Sequence, residues 1–311
     1  MKNDILVSVC MITYNHEQFI SQAIEGVLMQ KTDFPIELII GEDCGTDKTR
    51  EICIEYQQKY PEIIKLQLPD KNKGVIRNFF ENMQAATGKY IALCEGDDYW
   101  TDPYKLQKQV DFLKVNEEYS ACAHGNAILK EKILYFSMDR EEQDKTLGDV
   151  LNENLRFQTA AVLFREKIIN SSNFTSLPIL SGDLLLFLHI ALAGKVRVLS
   201  EEMSVYRKHQ GGVSHNVTVE KLKTDFILID SMSKLDVNFP VNALKAFLYY
   251  KIIANVSNLR LIQLFFYYLI ILFYINKSEI DMSLLKQKSK KTFTDRLPRF
   301  IRRVFRKIKI I

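Results

Sequence analysis

The sequence predicts an α/β fold, a mostly parallel sheet flanked by helices, with a helical C-terminal extension. Three observations lead there. Apolar runs of strand length alternate with helically spaced runs over residues 7–94, and strands separated by helices imply parallel pairing through right-handed crossovers. Polar clusters fall directly after the strand runs, at the carboxyl ends where such sheets bind ligands. From Val217 onward the pattern is helical throughout.

Each element has its own signal. Residues 7–12 form a β-branched apolar run that stops at Thr13-Tyr14-Asn15, and Phe19, Ile20, Ala23, Ile24, Val27 and Leu28 then recur at helical spacing. Residues 36–40 make a second strand, closed by Gly41-Glu42-Asp43. Thr46 or Asp47 can cap the next helix, which ends before Pro61. Residues 63–68 read as a third strand, 75–86 as a helix stopped near Gly88, and 90–94 as a fourth strand. Further on, helices are expected over 105–116 and 184–193 and strands over 121–125 and 159–164. Residues 135–158, polar and poorly periodic, read as a loop or insertion. The expected division is an α/β domain over 1–216, a helical region over 217–277 and a basic amphipathic tail over 278–311.

Charge and cysteine usage narrow the class. The chain carries a formal +4, yet from Lys286 to the end there are eleven Lys or Arg and one acid, Asp295, which leaves the rest at about −6. That asymmetry points to a basic segment meeting an anionic surface. The five cysteines are an odd number without Cys-x-x-Cys spacing, so a reducing compartment is expected rather than a disulfide framework or structural zinc. Cys10, Cys94 and Cys122 lie in apolar stretches and read as core residues. The first residues hold no secretory apolar run, so a cytoplasmic location is expected.

Four clusters can carry chemistry. Glu95-Gly96-Asp97-Asp98-Tyr99-Trp100 follows a buried-type strand. Adjacent carboxylates repel unless a cation neutralises them, and a hard divalent ion does so while bridging a diphosphate; the plainer alternative is a turn. In residues 41–47, Asp43 can accept from a base or a ribose, while Asp47 reads as a helix cap. Tyr14 can stack on a base or simply pack. Asp183, ahead of a helix, reads on its own as a cap. The group Tyr206-Arg207-Lys208-His209-Gln210-Gly211-Gly212 can meet a phosphate, with His209 able to complete a metal's coordination, or is a solvated loop. His16, His124, His189 and His215 have no partner at metal-ligand spacing and read as bystanders.

Taken in order, these clusters resemble the family 2 glycosyltransferases with the GT-A fold. The resemblance covers residues 5–216 and is carried by Val-Ser-Val-Cys-Met-Ile-Thr-Tyr-Asn, Gly-Glu-Asp-Cys-Gly-Thr-Asp-Lys-Thr, Asn-Lys-Gly-Val-Ile-Arg-Asn, Gly-Asp-Asp-Tyr-Trp and Tyr-Arg-Lys-His. It implies a GT-A catalytic domain over 1–216 that moves a sugar from a nucleotide-sugar, a UDP-sugar first among donors, to an acceptor hydroxyl by a metal-dependent inverting displacement. It places an Asp-x-Asp-type motif on Asp97 and Asp98, with Asp98 the direct ligand of Mn²⁺ or Mg²⁺ and His209 facing the metal or the diphosphate. Nucleotide contacts fall on Thr13, Tyr14, Asp43, Arg77 and Asp97, and Asp183 becomes the general base. The chain departs from the family at Cys44-Gly45, where Gly-Ser or Asn-Ser is commoner, and at Gly182-Asp183, where many relatives have Glu-Asp. The Gln-x-x-Arg-Trp signature of processive synthases is absent, which implies addition of a single sugar.

The C-terminal end points to a membrane surface. Sixteen uncharged residues separate Arg260 from Lys277, short of the roughly 20 a span needs, so a core or interfacial helix is expected. Phe300, Ile301, Val304, Phe305 and Ile308 share one helical face ringed by Arg302, Arg303, Arg306, Lys307 and Lys309. A helix lying in an anionic lipid surface has this pattern, as does a packing helix with solvated bases. Joined to the resemblance, it implies a lipid-linked glycan acceptor in cell-surface polysaccharide synthesis, with the protein peripheral on the inner face of the membrane. No nucleic-acid partner is expected, since no recognition motif accompanies the charge. Two rival readings are a nucleotidyltransferase, whose Gly-rich basic loop is missing from Thr13-Tyr14-Asn15-His16, and a non-catalytic sugar-nucleotide-binding scaffold.

Overall fold

The computed structural model describes residues 5–136, 141–153, 155, 157–170, 177–212, 217–299 and 301–302. They form two compact units, one of Met1–Thr146, Arg156–Ser176 and Gly182–Gly212, the other of Leu147–Leu155, Leu177–Ser181 and Val213–Ile311.

The first unit is built on one sheet. Its strands are β1 (Val7–Thr13), β2 (Ile36–Glu42), β3 (Ile64–Gln67), β4 (Tyr90–Leu93), β5 (Tyr99–Trp100), β6 (Tyr119–Lys130), β7 (Ile133–Tyr135), β8 (Gln143–Lys145), β9 (Leu163–Arg165) and β10 (Lys195–Lys208). Their order is β3-β2-β1-β4-β9-β6-β10-β5, with β7 on β6 and β8 on β10. Strands β1 to β4 pair in parallel, as the strand–helix alternation requires, and β10 runs parallel to β6. Strand β9 is inserted antiparallel between β4 and β6, so the sheet is parallel on one side and mixed on the other. Helices α1 (Ile20–Leu28), α2 (Thr49–Lys59), α3 (Val75–Gln84) and α4 (Lys105–Val115) supply the crossovers, and Val9, Met11, Ile24, Leu38, Ile40, Trp100 and Leu106 belong to one buried cluster. Cys10, Cys94 and Cys122 are buried as expected, and burial pushes their thiols up.

Three differences from the sequence reading have physical causes. Strand β10 escapes detection because its register against β6 shifts between Lys195 and Val196, Leu199 and Glu202, and Glu202 and Ser204, and bulges destroy the alternation that identifies a strand. Residues Thr159–Ala161 are a 3₁₀ turn rather than part of a strand. Their carbonyls are taken by side chains, the Trp100 indole donating to Ala160 O at 2.8 Å and the Gln109 amide to Ala161 O at 2.9 Å. Within 135–158 the chain forms β8 and the short helix α5 (Leu147–Leu151).

One core residue is costly. Lys105, at the start of α4, is fully buried, its Nζ bonded to Gln109 Oε1 at 2.8 Å and 4.0 Å from the Trp100 ring centroid. Burial lowers its pKa from 10.5 to about 7. Because the folded state releases the proton first, stability rises with pH between about 7 and 10.5, and the full penalty is felt below that window. Lys105→Met is therefore expected to stabilise the protein by about 2–4 kcal/mol near pH 6, after the lost hydrogen bond and ring contact are subtracted. Denaturant melts at pH 6 and pH 10 check this; a gain that does not shrink at the higher pH contradicts it.

The second unit is helical. After α6 (Lys167–Asn170) and α7 (Gly182–Ala193), which belong to the first unit, come α8 (Val219–Thr224), α9 (Ile227–Leu235), α10 (Val241–Asn255), α11 (Leu261–Asn276) and α12 (Ser283–Arg296). Tyr268 of α11 stacks on Phe293 of α12 with centroids 4.3 Å apart. Buried Asp225 accepts from Leu180 N, Ser181 N and the Ser181 hydroxyl, and pairs with Lys251 at 3.3 Å. Among the described residues no helix is long and apolar enough to cross a membrane. The end of the basic tail, Phe300 and residues 303–311, lies outside the described residues, as does His215.

Candidate functional site

The ends of β1 and β4 meet where the sequence carries its polar clusters. Gly96 makes the approach possible, since a Cβ there would lie 2.5 Å from Thr13 Oγ1. After β1 the chain turns at Asn15, whose φ of 55° is tolerated by an Asn. Its Oδ1 accepts from Thr46 N at 2.7 Å. Asp47, read as a helix cap, does more: besides Thr49 N and the Thr49 hydroxyl, it accepts from Glu17 N at 3.0 Å, while Thr49 Oγ1 accepts from His16 N at 2.8 Å. The loop after β1 is thus tied to the loop after β2, and His16 is held in place.

That tether brings together three groups far apart in sequence. His209 Nε2 lies 3.0 Å from Asp97 Oδ2, His16 Nε2 lies 3.8 Å from the same oxygen, and one ligand atom from each of the three falls within 4.8 Å of the others. Burial lowers the His16 pKa, which keeps a lone pair available. His16 Nδ1 is 3.1 Å from Thr13 Oγ1; if Nδ1–H donates there, Nε2 is the free acceptor facing Asp97. Burial would raise the Asp97 pKa, but the His209 hydrogen bond and the two imidazoles hold it below the usual carboxylate value. Two imidazoles and an ionised carboxylate are a fitting donor set for a divalent transition ion, and suit Mn²⁺ better than Mg²⁺, which favours all-oxygen shells.

Asp98 occupies a different place. Its carboxylate is buried and accepts from Arg207 N at 2.9 Å, and burial together with the charges of Asp97 and Glu95 pushes its pKa well up. The Arg207 side chain donates to Asp97 O at 2.6 Å and to Gln22, and lies over the Tyr99 ring at 4.2 Å. Asp98 and Arg207 thereby lock the strand end that presents Asp97. Asp98, the residue expected as the ligand, is engaged by Arg207 N, and its neighbour Asp97 joins the two histidines. Trp100 is a core residue.

The remaining expected residues are distributed around this point. Thr13 is buried beneath the cluster and Tyr14 is 44% exposed. Asp43 is buried, its carboxylate accepting from Lys73 N at 2.8 Å and Gly74 N at 2.9 Å, so it holds the loop ahead of α3. Arg77 is exposed on α3 and paired with Glu81 at 2.6 Å, an exchangeable surface pair. Asp183 is exposed as the second residue of α7, and its Oδ1 takes the adjacent Leu184 N at 2.8 Å, a local bond and not the one to an amide two or three residues on that a cap makes. The Glu95 pKa rises to about 7 through burial first, then the charge of Asp97, with a smaller contribution from that of Asp183.

Sequence reasoning missed His16 and Glu95. Both adjoin recognised clusters, but spacing along the chain could not reveal that His16, Asp97 and His209 converge. His124 and His189 are buried, and burial lowers the pKa of each.

Comparison with known proteins places the chain among relatives. The family description "Glycosyl transferase family 2" matches residues 8–179. An uncharacterized protein of Mycobacterium tuberculosis is 36% identical over 222 residues, covering 70% of this chain and 63% of that one; the chain thus spans less than two thirds of that relative's length. Among solved structures, S. aureus TarS 1-349 in complex with UDP-GlcNAc superposes with a TM-score of 0.69 at 17% identity, over 97% of this chain and 92% of TarS. The mannosyltransferase PcManGT from Pyrobaculum calidifontis, in complex with GDP-Man and Mn²⁺, gives 0.53 at 14% identity over 92% and 79%. At these identities the two structures establish a shared fold.

Proposed function

Because this chain belongs to glycosyl transferase family 2, we propose that it transfers one sugar from a nucleotide-sugar to an acceptor hydroxyl, using a divalent ion held by Asp97, His209 and His16. The convergence of those three side chains beyond the ends of β1 and β4 carries the reading. A UDP-sugar heads the donors, in keeping with the UDP-GlcNAc bound by TarS, and Mn²⁺ heads the ions, in keeping with the mannosyltransferase.

The chain's own residues account for the steps. Asp183 accepts the proton of the acceptor hydroxyl as its oxygen attacks the anomeric carbon, and a single in-line displacement inverts that centre. Thr13 and Asp43 hold the two loops that flank the nucleotide, and Tyr14 is exposed to stack on the base. Arg77 can leave Glu81 for a phosphate. When bound, the ion supplies charge neutralisation for the departing nucleoside diphosphate. The acceptor completes the reading as a lipid-linked glycan at the inner face of the membrane, supported by the basic sequence of residues 286–311.

Calorimetric titration with UDP, GDP, CMP and dTDP, with and without Mn²⁺, is the test. One nucleotide is expected to bind, and only with the metal. If none binds under either condition, the donor site is not where we place it. Metal-dependent binding with no transfer to any lipid-linked acceptor would favour the scaffold reading.

A further inference from the structure

Helix α11 has two apolar faces, and only one is used within its unit. Leu264, Tyr267, Tyr268 and Ile271 are buried, and Tyr274 lies parallel to Tyr249 of α10 at 6.0 Å. The other face is bare: Ile262 is 76% exposed, Phe266 58%, Leu269 48% and Phe273 51%. Their spacing of four, three and four residues puts them on one stripe along the helix. The sixteen residues of α11 include no charge. A bare apolar stripe of this length marks a contact surface.

The surrounding charge identifies the contact. Arg260 and Lys277 stand exposed at the two ends of α11, and Lys277 Nζ lies 4.5 Å from the Phe273 ring centroid. The unit containing α11 has eighteen Lys or Arg against nine Asp or Glu, whereas the rest of the chain has twenty-four against twenty-nine. A second copy of so cationic a unit would be repelled. An anionic lipid surface is the complement: the stripe enters the acyl boundary while the cationic ends stay among the phosphates. A helix of sixteen residues is about 24 Å long, and the hydrocarbon core is about 30 Å thick, so α11 lies in the surface and does not cross it.

We propose that the outer face of α11 is a docking surface for anionic membrane, with Ile262, Phe266, Leu269 and Phe273 as its apolar anchors. The inference rests on the membrane-surface part of the proposed function and gives it a defined element, separate from the basic tail.

The test uses the full chain and co-sedimentation with vesicles of phosphatidylcholine, alone or mixed with phosphatidylglycerol. The wild type is expected to partition onto the mixed vesicles. Phe266→Glu combined with Phe273→Glu should weaken that partition at least about tenfold without changing the melting temperature, since both side chains are exposed. Ile262→Glu should act in the same direction and serves if the double variant folds poorly. Undiminished binding by both variants overturns the α11 inference while leaving the membrane reading to the tail. Failure of the wild type to bind mixed vesicles overturns both. A wild-type dimer in light scattering that the variants dissociate, with vesicle binding intact, overturns it in favour of a second copy.

Discussion

Asp97→Asn is expected to abolish Mn²⁺-dependent binding of the nucleoside diphosphate, lowering affinity at least about a hundredfold while leaving any metal-free binding in place. The substitution keeps the side chain's size and an acceptor for His209 Nε2, now 3.0 Å away, so the strand end should hold its shape. What disappears is the negative charge that His16 and His209 help keep ionised, and with it the anionic ligand a divalent ion needs. Asp98 provides the contrast. Its carboxylate satisfies a buried backbone amide, Arg207 N, and leaving that donor unmatched costs about 1–3 kcal/mol. Asp98→Ala should therefore lower the melting temperature, and lose metal binding only as far as Asp97 shifts. Calorimetry and thermal melts on both variants decide between the two carboxylates. If Asp98→Asn alone removes metal binding with an unchanged melting temperature, the assignments must be exchanged.

Asp183→Asn should behave in the opposite way, preserving donor and metal binding and cutting transfer by about 100- to 10,000-fold, the usual contribution of a positioned base. Asparagine can still accept from Leu184 N through its Oδ1, so stability should not move and the loss can be read as chemistry. The readout is release of nucleoside diphosphate in the presence of acceptor, alongside calorimetric affinity for the donor. Normal turnover in this variant would remove Asp183 from the mechanism. Glu95, whose pKa is raised to about 7 by burial above all, would then be the next acid to replace.

Much of the parallel half of the sheet was legible because its strands are buried on both faces. Strands β1, β2 and β4 are nearly continuous apolar runs, and helices of regular period separate them. Strand β10 was not legible. It carries Arg207 and leads into His209, yet bulges against β6 interrupt its pattern. The same limit applies to single residues. Asp47 reads as a cap from its position before α2, but its bond to Glu17 N crosses to another loop, and cross-loop bonds leave no periodic trace.

By itself the sequence determined the fold class, the family and the neighbourhood of the site, because these depend on hydrophobic periodicity and on short clusters whose residues are adjacent in the chain. It also determined that α11 is uncharged throughout and mostly apolar. Tertiary structure decided which carboxylate faces the histidines, that His16 joins them, and which face of α11 is left bare. The carboxylates show the physical reason. Asp97 and Asp98 are chemically identical and consecutive, and they lie in a turn closed by Asp98 N on Glu95 O, where sequence pattern does not say which way each side chain points. Only the packing of β10 against that turn, through Arg207 N on Asp98, establishes that Asp98 holds the backbone while Asp97 lies beside the two histidines.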